Sequence, residues 1–420
     1  MPWVNLTKLL YNVVISVNNI KFSHLFRLYI VLILGLSGCG SIPNPLDSPM
    51  IESMSTGISD IFVKDEEIVY DKEELDALKA AEAIPLKWKS KIKESVIASF
   101  HAGYESNSLY VADESGGLTK FDAATGEQLW QLKTDGKFSA GVSAGDQLIL
   151  VGTFKGEVLA YNDAGHMLWQ SLVTSEILSP PQVHNNMVAV RTLDGRIFGL
   201  DAVDGTRKWV YQGTTPPLTV RSTAGVSLAH GAVFAGFPGG KLVALSLFNG
   251  NVGWEVAVSH PRGVTELERI TDITSLPVVS NQFVCSVAYQ GRLGCYSLND
   301  GTPIWSRESS SSAGLSMDKD YVYVTEEKGV VAAYELISGA GMWKQSKLGS
   351  KRLTRPMIQG PYVIVGDDQG FVTVLRNYDG SLVARSATDG SRIQAPPTLL
   401  PDGFAVQTAK GGIYVFSTNF

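Results

Sequence analysis

The chain has 420 residues, 44% of them hydrophobic and 18% charged, a length that fits two or three domains or one large all-β domain. It is too apolar for wholesale disorder, and its charged fraction is low for a helical protein. The net charge of −6 argues against a nucleic-acid binder, and cysteines at 39, 285 and 295 with no Cys-x-x-Cys spacing give little support to a zinc or iron–sulfur centre.

Residues 1–38 carry no acidic side chain, and Lys8, Lys21 and Arg27 make them positive. Leu28 to Gly38 is an apolar run of 11 residues, too short to span a bilayer but suited to a signal-peptide core. It ends in Leu36-Ser37-Gly38-Cys39, which resembles the lipobox of bacterial lipoproteins. That resemblance implies removal of 1–38 and acylation of Cys39, with enough acyl chains for stable anchoring. Gly40 stands where an Asp would imply retention in the inner membrane, so the expected location is the outer membrane, facing the periplasm. Without its leader the chain would carry a net charge of −9. Residues 39–85 then read as a lipidated, flexible, acidic tether, with Asp71 to Ala83 compatible with one short helix.

From 86 to 420 the chain repeats. After Trp3 the tryptophans fall at 88, 130, 169, 209, 254, 305 and 343, spaced by 42, 39, 40, 45, 51 and 38 residues. The last six each close a phrase whose best copy is Phe121-Asp122-Ala123-Ala124-Thr125-Gly126-Glu127-Gln128-Leu129-Trp130. A seventh copy, Asn377-Tyr378-Asp379-Gly380, has Arg385 near the place of the tryptophan. Upstream of each phrase lies an alternating hairpin around a glycine turn, as in Leu109 to Phe121 around Gly116-Gly117. Eight such hairpins, at roughly 40 residues and four short strands per repeat, predict an all-β, eight-bladed propeller. The last repeat ends without its tryptophan strand and Trp88 stands alone at the other end, so the N-terminal strand should complete the last blade and close the ring. The tryptophans should pack between blades.

Catalytic signatures are weak. Gly141-Val142-Ser143-Ala144-Gly145 matches the hydrolase nucleophile pattern, but that pattern needs a strand-to-helix turn and here falls inside a blade. Gly239-Gly240-Lys241 lacks the spacing of a phosphate loop and reads as a hairpin turn, and no two of the six histidines share a metal-ligand spacing. No catalytic residue, metal or cofactor site is therefore assigned. Cys285 and Cys295 flank the turn at Gln290-Gly291; a two-residue turn would set them on opposite faces, which favours two buried free thiols, although an oxidising cell envelope would allow a bond.

The Asp122 to Trp130 phrase resembles the repeat of pyrroloquinoline-quinone (PQQ) dehydrogenase propellers, which implies an alternative reading as a periplasmic quinoprotein or small-molecule-binding propeller. This chain lacks the adjacent-cysteine pair of those enzymes. Together the lipobox, the tether and the eight repeats resemble the BamB family, the lipoprotein propellers of the outer-membrane β-barrel assembly machinery. The likeness runs from 86 to 416 and includes Thr174 to Pro180, Asp272 to Val278 and Val365 to Gly370. The resemblance implies a non-enzymatic scaffold without cofactor that aids outer-membrane protein folding and insertion. Its expected partners are the periplasmic POTRA domains of BamA, and nascent outer-membrane proteins as a further possibility. The binding segment it implies is Leu218-Thr219-Val220-Arg221, with Val220 where the family carries Leu; a second is Asp272-Ile273-Thr274, where Thr274 replaces an Asp. Apolar residues beside an arginine in a loop have the composition of an interface hot spot. The segment Val258 to Leu276 makes the longest tryptophan spacing and carries Glu266, Glu268, Arg269 and Asp272.

Overall fold

The computed structural model describes residues 72–95, 99–350 and 352–419. The leader, Cys39 and the tether up to residue 71 lie outside the described residues. Within them, 32 strands form eight four-stranded antiparallel sheets. Blades 1 to 7 span 103–133, 143–172, 182–212, 227–257, 278–308, 314–345 and 357–387, each running from innermost to outermost strand in chain order. Blade 8 has Thr398–Leu400, Gly403–Gln407 and Gly412–Ser417 as its inner three strands, and Leu86–Lys91 from the other end of the chain as its outer strand. Innermost strands touch their neighbours all the way round, blade 8 against blade 1 included. The ring is closed as expected.

The burial pattern explains why these segments are strands. Met187–Arg191, second strand of blade 3, is buried at all five positions because blades cover both its faces. The outer strand Arg207–Gln212 alternates, with Trp209 buried between exposed neighbours, because one face meets water. The core is thus a set of layers between blades, as where Leu150 and Val158 of blade 2 meet Val188, Val190 and Phe198 of blade 3.

Tryptophan fastens these layers. Each of the seven from Trp88 to Trp343 donates its Nε1–H to a backbone carbonyl of the following blade at 2.7–3.1 Å. The acceptor is the third residue of the repeated phrase, as Ala123 is for Trp88 and Ala202 for Trp169. The ring then lies on the phrase's glycine: a Cβ at Gly205, where φ is +72°, would stand 2.5 Å from the Trp169 ring. Glycine is required there for both its φ and its bareness.

The eighth joint is built differently. In blade 7 the position equivalent to tryptophan is Ala384, fully buried, with Arg385 one residue beyond. Arg385 lies over the Phe371 ring at 4.1 Å and 3.3 Å from the Asp367 carboxylate. The volume beside Ala384 is filled by Ile84, 3% exposed, within one cluster with Phe404 and Phe416 of blade 8. Ile84 donates its N–H to Ser386 Oγ at 2.8 Å, and Glu82 accepts the N–H of Arg385 at 2.8 Å. A helix, Lys72–Ala80, precedes this segment and buries Leu78 beside Gly349. The end of the acidic segment is therefore packed on the propeller.

The two cysteines depart from expectation. The turn is three residues, Tyr289-Gln290-Gly291, with Ala288 bonded to Arg292 and Gln290 at φ +49°. The odd count sets Cys285 directly opposite Cys295, Cα atoms 4.1 Å apart, and the two form a fully buried disulfide. The free-thiol expectation fails because it assumed a two-residue turn.

Candidate partner-binding rim

In a propeller of this connectivity, loops entering each innermost strand share one rim with the hairpins joining second and third strands. Leu218 to Arg221 lies in such an entry loop, 213–226, between blades 3 and 4. Thr215 approaches Gly195 of the blade 3 hairpin, and Pro216 approaches Gly239 of the blade 4 hairpin. Leu218 is 43% exposed, Val220 half-buried and Arg221 exposed. Leu193, at the tip of the blade 3 hairpin, adds a further exposed apolar side chain, tied to the next loop by its N–H to the Glu176 carbonyl at 2.9 Å.

Asp272 plays another part. It is 2% exposed, with its carboxylate turned to backbone donors of the propeller. Its Oδ2 accepts the Val220 N–H at 2.7 Å and its Oδ1 the Gly239 N–H at 2.9 Å, while its own carbonyl accepts the Tyr289 N–H at 2.8 Å. One side chain thus pins the Leu218 loop to the blade 4 hairpin. Beside it Ile273 is buried against Gly236, where any Cβ would fall 2.0 Å from the isoleucine. Thr274, 6% exposed, donates its hydroxyl to the Ser312 carbonyl at 3.2 Å, and its carbonyl accepts the Ser222 hydroxyl at 3.1 Å. A hydroxyl suits this local bonding, and a carboxylate would not.

A buried cation completes the support. Arg191 sits over the Phe237 ring at 4.9 Å and donates to the Gly236 carbonyl. Burial pulls its pKa down to about 10, and the charge of Asp272 works against that pull. Thr219, Val220, Ser222, Arg191 and Asp272 share the wall of a small cavity of about 40 Å³ under the loop. At the surface, the Glu176 carboxyl lies below its usual range, mainly through the Ser175 hydroxyl and partly through the charge of Arg221. Glu176 is therefore an ionised neighbour of Arg221.

The long loop 258–277 supplies the rest of this rim. Glu268 accepts the N–H groups of Val264 and Thr265 at 2.9 and 3.0 Å, and Thr265 Oγ1 accepts the Glu268 N–H at 3.2 Å. Its charge is spent on its own loop, whose tip instead shows Val264 and Leu267, 95% and 68% exposed. Leu193, Val264 and Leu267 were missed from sequence, although an apolar residue inside a polar turn, as in Thr192-Leu193-Asp194-Gly195, was a readable signal.

The other motifs resolve structurally. Ser143–Gly145 is the innermost strand of blade 2, not a strand-to-helix elbow, and Gly141 is bare because the His101 backbone passes within 2.2 Å of where its Cβ would be. Gly239 and Gly240, at φ +76° and +74°, form a hairpin turn, and Lys241 pairs with Glu255 at 2.8 Å. Among the described residues, no group of three His, Cys, Asp or Glu side chains is placed to hold a metal.

The chain thus forms an eight-bladed, tryptophan-docked propeller whose rim shows exposed apolar side chains beside Arg221. A family model described as outer membrane protein assembly factor BamB matches residues 86–140 and 114–345. The chain is 51% identical over 389 residues to the outer membrane protein assembly factor BamB of Nitrosomonas eutropha, covering 92% of this chain and 93% of that one. It is 41% identical to the protein of the same name from Burkholderia pseudomallei, over 78% of this chain and 87% of that one. The crystal structure of BamB from Moraxella catarrhalis superposes with a TM-score of 0.73 at 25% identity, covering 80% of this chain and 100% of that one. The chain belongs to the BamB family. A quinohemoprotein alcohol dehydrogenase from Comamonas testosteroni shares the fold alone, at 12% identity and a TM-score of 0.65 over 80% of this chain and 76% of that one.

Proposed function

We propose that this protein is a non-enzymatic scaffold of outer-membrane β-barrel assembly, and that its rim around Leu218, Val220 and Arg221 binds the periplasmic POTRA domains of BamA. Acylated Cys39 anchors it to the outer membrane, and the tether places the propeller in the periplasm. Its relatives are named as outer membrane protein assembly factors, which supports membership of that machinery. The observation that carries the binding site is the exposed Leu218 and Arg221 on a loop that buried Asp272 fixes in place. Such an anchor is preorganised, so little ordering cost falls on association. The guanidinium presents a planar fork suited to a partner's carboxylate.

The test is binding of purified POTRA domains to Arg221→Ala, alone and with Leu218→Ala. Loss of an interface arginine typically costs ~2 kcal/mol or more, roughly 30-fold in affinity, and the melting curve should stay near that of the unchanged protein. Undiminished binding would show that the site is misplaced. An unfolded variant would show that these residues are core.

A further inference from the structure

The same rim surrounds the mouth of a central channel. A cavity of about 270 Å³ is lined by loops entering seven of the eight blades, including Ser99, His101, Gln182, Ser275 and Arg355. A second lobe of about 300 Å³ shares Ser99, Thr223, Ser312 and Arg355 with it, so Arg355 stands between the two. The Arg355 guanidinium has no ion-pair or hydrogen-bonding partner among the described residues. Among those residues no Asp or Glu lines the first lobe, although the chain as a whole is acidic.

Two further observations point the same way. Ser275 is 5% exposed and lines the first lobe, yet its hydroxyl has no hydrogen-bond partner. An unmet buried hydroxyl of this kind calls for a ligand or water. The charges are also uncompensated: burial alone lowers the Arg355 pKa, with no carboxylate opposing it. His101 is pulled down to about 4, first by burial and then by the charge of Arg355. The second lobe does hold Glu326 and Glu327, but Glu326 is engaged by Lys344 at 2.8 Å and Glu327 accepts the Ser312 N–H at 2.7 Å. Arg352, also lining that lobe, adds positive charge.

We propose that the channel mouth binds a small oxyanion, a carboxylate or a phosphate, with Arg355 as the charged donor and Ser275, Ser312 and Ser99 as hydroxyl donors. An anion here supplies the charge that Arg355 lacks and the acceptor that Ser275 lacks. It also relieves the repulsion on His101, so binding takes up a proton below the ordinary histidine range; the charge acting on that ring is Arg355, while Arg352, Glu326 and Glu327 line the second lobe, which His101 does not. The proposal goes beyond the scaffold reading and is independent of it.

The experiment is equilibrium dialysis of the full chain in mild detergent against radiolabelled succinate and, separately, inorganic phosphate, at low and high salt. One saturable site per chain, weaker at high salt, is expected. Arg355→Gln should lose roughly tenfold or more in affinity, as when a charge-assisted hydrogen bond is removed, and Arg355→Lys should keep part of it. Preference for succinate or for phosphate identifies the source of the oxyanion. In the unchanged protein, the His101 ring resonances should titrate at higher pH with the bound probe than without it, a readout that survives even if the variants fold poorly. Failure of both probes to bind, equal binding by Arg355→Gln, or an unmoved His101 titration overturns the site. BamA affinity should not change in Arg355→Gln, so this result and that of the rim are read separately.

Discussion

Asp272 shows how far a residue's role can lie from its apparent one. Its resemblance to a family contact position suggests a carboxylate offered to a partner, but it is buried and satisfies the backbone N–H groups of Val220 and Gly239. Removing it leaves two half-buried donors without their acceptor, at up to about 1–3 kcal/mol for such a group. Asp272→Ala should therefore lower both the unfolding free energy and POTRA affinity, whereas Arg221→Ala lowers affinity alone. Asp272→Asn, which keeps one acceptor, should fall between. Denaturant unfolding and binding measured on the same preparations check this, and an Asp272→Ala of full stability that binds less would restore a direct contact. The exposure of Leu218 and Arg221 was legible in sequence because their segment reads as a loop between two strands. The inward turn of Asp272 was not, because its partners at 220 and 239 are distant in sequence. The cysteine pairing was missed for a smaller reason: one residue of turn length decides which face a strand residue occupies.

At the scale of elements, the tryptophan strand and the glycine phrase of the next blade form a repeated joint, and both halves were visible as a period in the sequence. The eighth joint was not, since its filler comes from residues outside the repeat. There Ala384 leaves a gap that Ile84 occupies, and the segment at Glu82 pairs alongside the outer strand of blade 7. An isoleucine in a stretch that reads as tether is in physical terms core. Ile84→Ala should thus cost roughly 2–5 kcal/mol, as for other buried aliphatic truncations, although exposed tether positions are ordinarily neutral to within ~0.5 kcal/mol. Denaturant titration decides between these values. A change inside the neutral range would mean that the last joint closes without Ile84.

At the scale of the whole molecule, closure is the property on which the rest depends. An open row of blades would expose an unpaired strand edge and an apolar layer at each end. The ring removes both by pairing Leu86–Lys91 with Gly412–Ser417, with Trp88 against Val415. Trp88 then docks on blade 1 through the Ala123 carbonyl at 2.9 Å and the bare face of Gly126, so the first and last strands of the propeller are fastened in the same blade. Phe404 and Phe416, both nearly fully buried, lie in the layer facing blade 7. A chain ending at Leu400 loses these rings and leaves Leu86–Lys91 with no strand to pair. Because each blade is held by two neighbours, freeing one joint relaxes the restraint on both adjacent blades. The shortened chain should therefore lose its single cooperative melting transition and become sensitive to protease, rather than melt a few degrees lower. Calorimetry with limited proteolysis distinguishes these outcomes. If the shortened chain keeps the melting transition of the full one, the stability of the propeller resides in its separate blades and not in the closed ring.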